Sequence, residues 1–302
     1  MTLVTAFTKM PFVKMHGLGN DFAVIDLRGG AGVGASAKDA AGPAVANGAL
    51  TDISDAQARA IADRRTGVGC DQVILLEKPR QKLADVYMRI RNADGSEVEA
   101  CGNGARCVAA LVMAETGRKH VVIESVVGLL DAEAAPDGRI SVDMGPARLD
   151  WREIPIAKPL DTLHLGIELG PLSDPVGVNI GNPHAVFFVP DAEAVDVAAL
   201  GPVLERHPLF PEKANIEVAT VLSPTRIRMR VWERGVGITR ACGTGACATL
   251  VAAHRRKLTG RKATIQLDGG DLEIEWLADN HVRMTGPAEI SFTGRLDASL
   301  LG

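Results

Sequence analysis

Residues 88–105 read MRIRNADGSEVEACGNGA, and residues 229–246 read MRVWERGVGITRACGTGA. Aligned without a gap, Met88-Arg89 falls on Met229-Arg230. Thirteen residues after each methionine stands a cysteine, Cys101 or Cys242, inside the same string Ala-Cys-Gly-x-Gly-Ala. Self-similarity of this kind sets the architecture before any element is assigned. Working outward, Gly19-Asn20 is followed by Ala23-Val24, and Gly181-Asn182 by Ala185-Val186. Asn20 lies 81 residues before Cys101, and Asn182 lies 60 before Cys242. The excess of 21 nearly matches Gly29–Leu50, a Gly/Ala-rich stretch of 22 residues without periodicity, which reads as a flexible surface insertion. Two motifs recurring in the same order argue for duplication rather than chance. The expected domains are 1–146 and 147–287, with the tail 288–302 packing back on the first. Two half-sites meeting at a domain interface are the functional reading of such a repeat, since clefts between domains favour small-molecule sites.

Short runs with apolar alternation or β-branched residues predict strands at Phe12–Leu27, Val73–Glu77, Val86–Arg91, Val121–Ser125, Arg139–Met144, Gly177–Ile180, Ala185–Val189, Ile216–Val221 and Arg226–Glu233. Further strands are expected at Thr264–Leu267, Leu272–Trp276, His281–Thr285 and Glu289–Gly294. Helices are fewer: Asp55–Arg65 behind a Ser54 cap, Glu193–Leu204, and the runs Ala105–Thr116 and Ala246–Leu258, each starting just after Cys-Gly-x-Gly. The last two are small and apolar all round, so they must be buried. The expected class is α+β: two pseudo-symmetric domains, each a curved, mostly antiparallel sheet around one central helix.

With 302 residues, 46% of them apolar and 23% charged, the chain has the composition of a globular protein of about two domains. Its net charge of −4 and the lack of any Lys/Arg-rich run disfavour a nucleic-acid partner. No apolar stretch is long enough for a membrane helix, and Met1–Lys14 lacks the features of a signal peptide, so the cytoplasm is expected. Five cysteines, an odd number, do not form a secreted disulfide framework. Cys101-x5-Cys107 and Cys242-x4-Cys247 lack the C-x2-C spacing of structural zinc, and no metal is expected.

Cys101 and Cys242 each stand at the entry to a helix on a Gly-x-Gly turn. Unpaired backbone N–H groups and the positive end of the helix dipole lie there, a setting that favours the thiolate and can hold a substrate carboxylate. One copy would be weak, because a cysteine before a buried helix is often just a small apolar residue. Two copies suit one reaction: a thiolate removes a proton from one face of a Cα and a thiol adds one to the other, the roles exchanging in reverse. Such chemistry often borrows pyridoxal phosphate as an electron sink. No P-loop, G-x-G-x-x-G or recognisable lysine motif is present, and no cofactor is expected.

At these residues the chain resembles the diaminopimelate epimerase family. The matching pieces are His16-Gly-Leu-Gly-Asn-Asp-Phe22, Gly67-Val-Gly-Cys-Asp-Gln72, Asn92-Ala-Asp-Gly-Ser96, Ala100-Cys-Gly-Asn-Gly-Ala-Arg106, Gly181-Asn-Pro-His184, Asn215, Glu233-Arg234 and Ala241-Cys-Gly-Thr-Gly-Ala246. The resemblance implies a cofactor-independent isomerase that interconverts LL- and meso-2,6-diaminopimelate, in lysine and peptidoglycan precursor synthesis. It implies that Cys101 and Cys242 are the acid/base pair, and that N–H groups around Gly102, Asn103, Gly243 and Thr244 hold the carboxylate of the reacting centre. Asn20, Asn92, Asn182 and Asn215, with Glu233 and Arg234, would grip the distal amino-acid end, and Gln72 would be a lesser contact. Chemically this set fits: arginine pairs with a carboxylate in a fork, glutamate with an ammonium, and asparagine both donates and accepts. A homodimer is the expected assembly.

The remaining candidates read as structure. Cys70, Cys107 and Cys247 fit core packing. His184 reads as an orienting or structural group, and His16 likewise, in a turn. The rival readings are a proline or hydroxyproline racemase of the same fold, a non-catalytic amino-acid-binding relative, and a redox sensor pairing Cys101 with Cys242. The first leaves the four asparagines, Glu233 and Arg234 without a use.

Overall fold

The computed structural model describes residues 10–29, 52–98 and 101–301. Met10–Gly17 (β1) and Asn20–Asp26 (β2), read in the sequence as one strand, are two paired strands. Leu18 and Gly19 between them take left-handed backbone, φ 58° and 83°, which turns the chain back in two residues. Asp55–Ala62 (α1) follows, its Ser54 cap closed as a capping box with Gln57. Then come Gln72–Glu77 (β3), Val86–Asn92 (β4), Glu97–Val98 (β5), Gly102–Thr116 (α2), His120–Ser125 (β6) and Gly128–Ala134 (β7). The chain continues through Ile140–Pro146 (β8), Glu168–Leu169 (β9), Leu172–Ser173 (β10), Val176–Asn179 (β11), Pro183–Phe188 (β12), Val197–Glu205 (α3), Asn215–Ser223 (β13) and Arg226–Glu233 (β14). It ends with Gly237–Ile238 (β15), Gly243–Arg255 (α4), Lys262–Leu267 (β16), Gly270–Trp276 (β17), His281–Gly286 (β18) and Glu289–Leu296 (β19). No helix is long and apolar enough to cross a membrane, among the described residues. The expected insertion Gly29–Leu50 lies, apart from Gly29, outside them.

The chain divides into two units. Residues 21–134, with 10–17 and 288–301, make the first; residues 135–287, with Leu18–Asn20, make the second. The boundary falls at 134/135 and not at 146, because β8 pairs antiparallel with β18 of the second unit. The tail belongs to the first unit because β19 runs antiparallel along β1, from Met10↔Leu296 to His16↔Glu289.

Both units repeat one pairing scheme. In the first, β2 is parallel to β3, β3 antiparallel to β4, β4 parallel to β6 and β6 antiparallel to β7. In the second, β12 is parallel to β13, β13 antiparallel to β14, β14 parallel to β16 and β16 antiparallel to β17. Antiparallel pairs dominate, and each parallel pair spans a helix, as parallel strands require: α1, α2, α3 and α4 in turn. Within its unit, α2 packs against β1, β6 and β7, and α4 against β11 to β14 and β16 to β18. Cys107 and Cys247 lie fully buried in these helices, as core packing requires.

Candidate functional site

Each unit presents its cysteine in the same way. Cys101 is the N-cap of α2, extended at φ −147°, and its Sγ accepts from the Gly104 N–H at 3.4 Å. Cys242 is the N-cap of α4, φ −112°, and its Sγ accepts from the Gly245 N–H at 3.3 Å. A thiol here replaces the usual Ser or Asp cap. Glycine at the third helical position is needed for this. A Cβ on Gly104 would lie 2.9 Å from Ile74 Cδ1, and one on Gly245 would lie 3.2 Å from Cys242 Sγ and 2.8 Å from Glu217 Oε1. The first intrahelical bonds run from Ala105 N to Cys101 O and from Ala246 N to Cys242 O. In α4 the Gly243 and Thr244 N–H groups therefore precede the first turn's ladder and point outward at the positive end of the helix.

The surroundings of Cys242 are strongly acidic. It is buried, and burial pushes its thiol well above the ordinary range, with the carboxylates of Glu233 and Glu217 pushing the same way. The helix terminus does not prevail there, contrary to the expectation of a lowered thiol pKa, because desolvation penalises the thiolate most. Thr244 Oγ1 lies 3.6 Å from the sulfur. Burial also raises the Glu233 carboxyl, which Thr239 Oγ1 and the Cys242 thiol meet by hydrogen bonds. The sequence reading gave Glu233 only an ammonium to hold; its neighbours in the fold are this thiol and hydroxyl.

The other expected residues fall into small networks within each unit. In the first, Gln72 and Asn92 stand opposite across β3 and β4, and Gln72 Nε2 donates to Asn92 Oδ1 at 3.1 Å. Asn92 Nδ2 donates to Ser96, while Gln72 Oε1 is buried with no hydrogen bond among the described residues. Gly102 begins α2, and the buried Asn103 side chain accepts from Arg106, which is fully buried. His16 is in β1 and not in a turn, 3.6 Å from Glu289. Asn20 opens β2, in the Leu18–Asn20 segment that groups with the second unit.

In the second unit, Asn215 is buried and spends both ends of its amide on backbone. Its Nδ2 donates to Pro183 O at 3.0 Å, and its Oδ1 accepts from Arg234 N at 2.9 Å. It thus ties the Asn182–Pro183 segment to the Glu233–Arg234 turn. Arg234 donates from Nη1 to Glu212 O. His184 is fully buried between two partners, with Nδ1 2.7 Å from Glu217 Oε1 and Nε2 2.7 Å from Asn182 Oδ1. Glu217 and Thr239 went unnoticed in the sequence. The signal for Glu217 was an acid inside the otherwise apolar run Ile216-Glu-Val-Ala219. Among the described residues no group of three His, Cys, Asp or Glu is placed to hold a metal ion.

Comparison with known proteins gives this geometry a family. The family profile described as diaminopimelate epimerase matches residues 12–149 and 176–291. A diaminopimelate epimerase of Rhodospirillum centenum is 59% identical over 290 residues, covering 96% of this chain and 93% of the relative. Those of Acidiphilium cryptum and Phenylobacterium zucineum are 50% and 52% identical, covering 96% and 95% of this chain and 98% and 97% of the relatives. Among solved structures, a hydroxyproline epimerase from Agrobacterium vitis superposes with a TM-score of 0.63 at 16% identity, over 96% of this chain and 92% of that one. A phenazine biosynthesis protein from Bacillus anthracis does so at 0.62 and 14%, over 96% and 99%. At such identities they share the fold. The chain belongs to the diaminopimelate epimerase family and is an isomerase.

Proposed function

We propose that Cys101 and Cys242 are the two acid/base groups that invert one α-carbon of 2,6-diaminopimelate. The observation that carries this reading is the helix N-terminus capped by a thiol, built twice with Sγ to N–H distances of 3.4 and 3.3 Å. In one direction one cysteine is the thiolate base and the other the thiol donor, and in the reverse direction the roles exchange. The carbanion formed between the two steps is stabilised by helix N-termini facing the α-carboxylate, through the N–H groups at Gly102, Asn103, Gly243 and Thr244. Asn20, Gln72, Asn92, Asn182, Asn215, Glu233 and Arg234 receive the second amino-acid end. Polar groups enclosed with the substrate discriminate against one that leaves them unpaired, so proline-like monocarboxylates are poor substrates. This chemistry is carried without a cofactor or metal, in the cytoplasm, by a homodimer with no nucleic-acid partner. Fractionation tests the cytoplasmic assignment, and sedimentation equilibrium tests the homodimer.

The deciding experiment uses reduced protein and LL-diaminopimelate in deuterated water, with Cys101→Ala and Cys242→Ala in parallel. The meso product carrying deuterium at one α-carbon is expected from the wild type and from neither variant. A folded, reduced wild type that exchanges no α-hydrogen removes the substrate assignment, and proline and hydroxyproline are then tried.

A further inference from the structure

The position facing the third residue of the central helix is apolar in the first unit and a carboxylate in the second. Ile74 Cδ1 approaches Gly104, and Glu217 Oε1 approaches Gly245. On the neighbouring parallel strand the same exchange recurs. Phe22 pairs with Gln72 and His184 with Asn215, so Ile74 and Glu217 both lie two residues further along. Phe22, Ile74, His184 and Glu217 are all 0% exposed. The fold thus fills one space with Phe and Ile and its repeat with His and Glu. Packing does not demand the polar pair, because replacing both members of a buried hydrogen-bonded pair by apolar groups of the same shape can be nearly neutral or stabilising. It also carries a cost: Glu217 Oε2 is buried with no hydrogen bond among the described residues.

We propose that Glu217 is a positioning residue for ligand recognition, which through His184 holds the Asn182 amide with its oxygen inward and its Nδ2 donors toward the ligand. This rests on the assignment of Asn182 to the distal amino-acid end. A carboxylate can only accept, so His184 Nδ1 donates to Glu217. His184 Nε2 faces Asn182 Oδ1 at 2.7 Å, and so donates as well. The Glu217 carboxylate is what obliges Nδ1 to donate, whereas an amide at 217 can either accept from that nitrogen or donate to it. Where it no longer dictates the tautomer, Nε2 can take an N–H of the Asn182 amide instead, and the Asn182 oxygen then faces the ligand. Asn182 Nδ2 has no hydrogen bond to another described residue, which leaves it to a ligand acceptor. Asn215 ties this strand end to the turn that bears Arg234. Two donors held together in this way recognise a carboxylate, and Glu217 sets the sign of one of them.

The test begins with wild-type turnover of LL-diaminopimelate, whose failure would fall on the proposed function and not on Glu217. Steady-state constants are then compared for Glu217→Gln, Asn182→Ala and the double variant. Glu217→Gln is expected to raise KM about 10-fold or more with kcat nearly unchanged, the pattern of lost uniform binding. The double variant is expected to match Asn182→Ala, because Glu217 acts through that amide. An unchanged KM, multiplied penalties in the double variant, or a fall in kcat alone would each overturn the proposal. If Glu217→Gln does not fold, His184→Phe/Glu217→Ile, which copies the first unit, decides. It is expected to keep or raise Tm and to raise KM. A wild-type KM overturns the proposal, and so does loss of the fold, since the pair would then be structural.

Discussion

Cys101 and Cys242 cap their helices alike, yet one thiol is half-buried and the other buried between two acids. Timed alkylation at pH 8, read by peptide mass spectrometry, is therefore expected to label Cys101 before Cys242. A raised thiol pKa leaves little thiolate at that pH. Cys70 and Cys107, pushed up by burial to about 11 and about 12, should stay unlabelled until the protein unfolds. Labelling of Cys242 first would contradict this reading of its surroundings. The helix glycines should also differ. Gly245→Ala drives a methyl group against Glu217 Oε1 and Cys242 Sγ, both fixed by hydrogen bonds, and overpacking of this kind costs about 1–3 kcal/mol. At least a 10-fold loss of epimerisation is expected. Gly104→Ala meets the end of the Ile74 side chain, which can rotate aside, and should lose less; equal losses would show the two helix starts to be equivalent. At this scale the cysteines were legible because their motif is local and repeated. The pairing of His184 with Glu217 was not, because β12 and β13 bring the two together from positions 33 residues apart.

Among the elements, β2, the end of α1 and the start of β3 are fastened by charge. Arg64 bonds Asp21 and Asp71, and Lys14 in β1 bonds Asp21 and the Gly69 carbonyl. Burial opposes ionisation of Asp21, but the bonds from Arg64 and Lys14 prevail and hold its carboxyl at about 2, below the ordinary 3.8. Stability from this group is complete above about pH 4 and disappears as pH falls toward 2. It amounts to about 1–2 kcal/mol once screening at the exposed Arg64 is allowed for. Asp21→Asn should lower Tm at pH 7 and reduce its fall between pH 4 and pH 2, measured by circular dichroism. An acid limb as steep as the wild type's would locate the charge dependence elsewhere. Most strands and all four helices were legible from apolar periodicity and caps. The exceptions have physical causes, and β5, β9, β10 and β15, two residues each, are too short to show a period. Leu18, not a favoured turn residue, hid the break between β1 and β2. Gly128–Ala134 (β7) carries exposed Leu129 and acids on its outer face, which masks its pairing with β6.

For the molecule as a whole, duplication was readable, but the first unit is not continuous in sequence. Strand β8 leaves for the second unit and β19 returns along β1, bringing Leu296 into a core with Phe12 and Ile25. The return of 288–302 was expected, but the pairing of β8 with β18, between residues such as Ile140 and Gly286, leaves no local signal, so the expected boundary at 146 reflected sequence order and not strand order. Deleting 288–302 should lower the melting temperature of the first unit by several degrees or more, given that Leu296 and a whole ladder are lost. Calorimetry that resolves the two units should find the second nearly unmoved; a single undisturbed transition would contradict this. The returning strand also orders events during synthesis. Residues 135–287 are made before β19 is. The first unit must wait, with one flank of β1 uncovered, until β19 follows them. The half made first is thus finished last, and in the interval its open edge is the surface that a chaperone has most reason to guard.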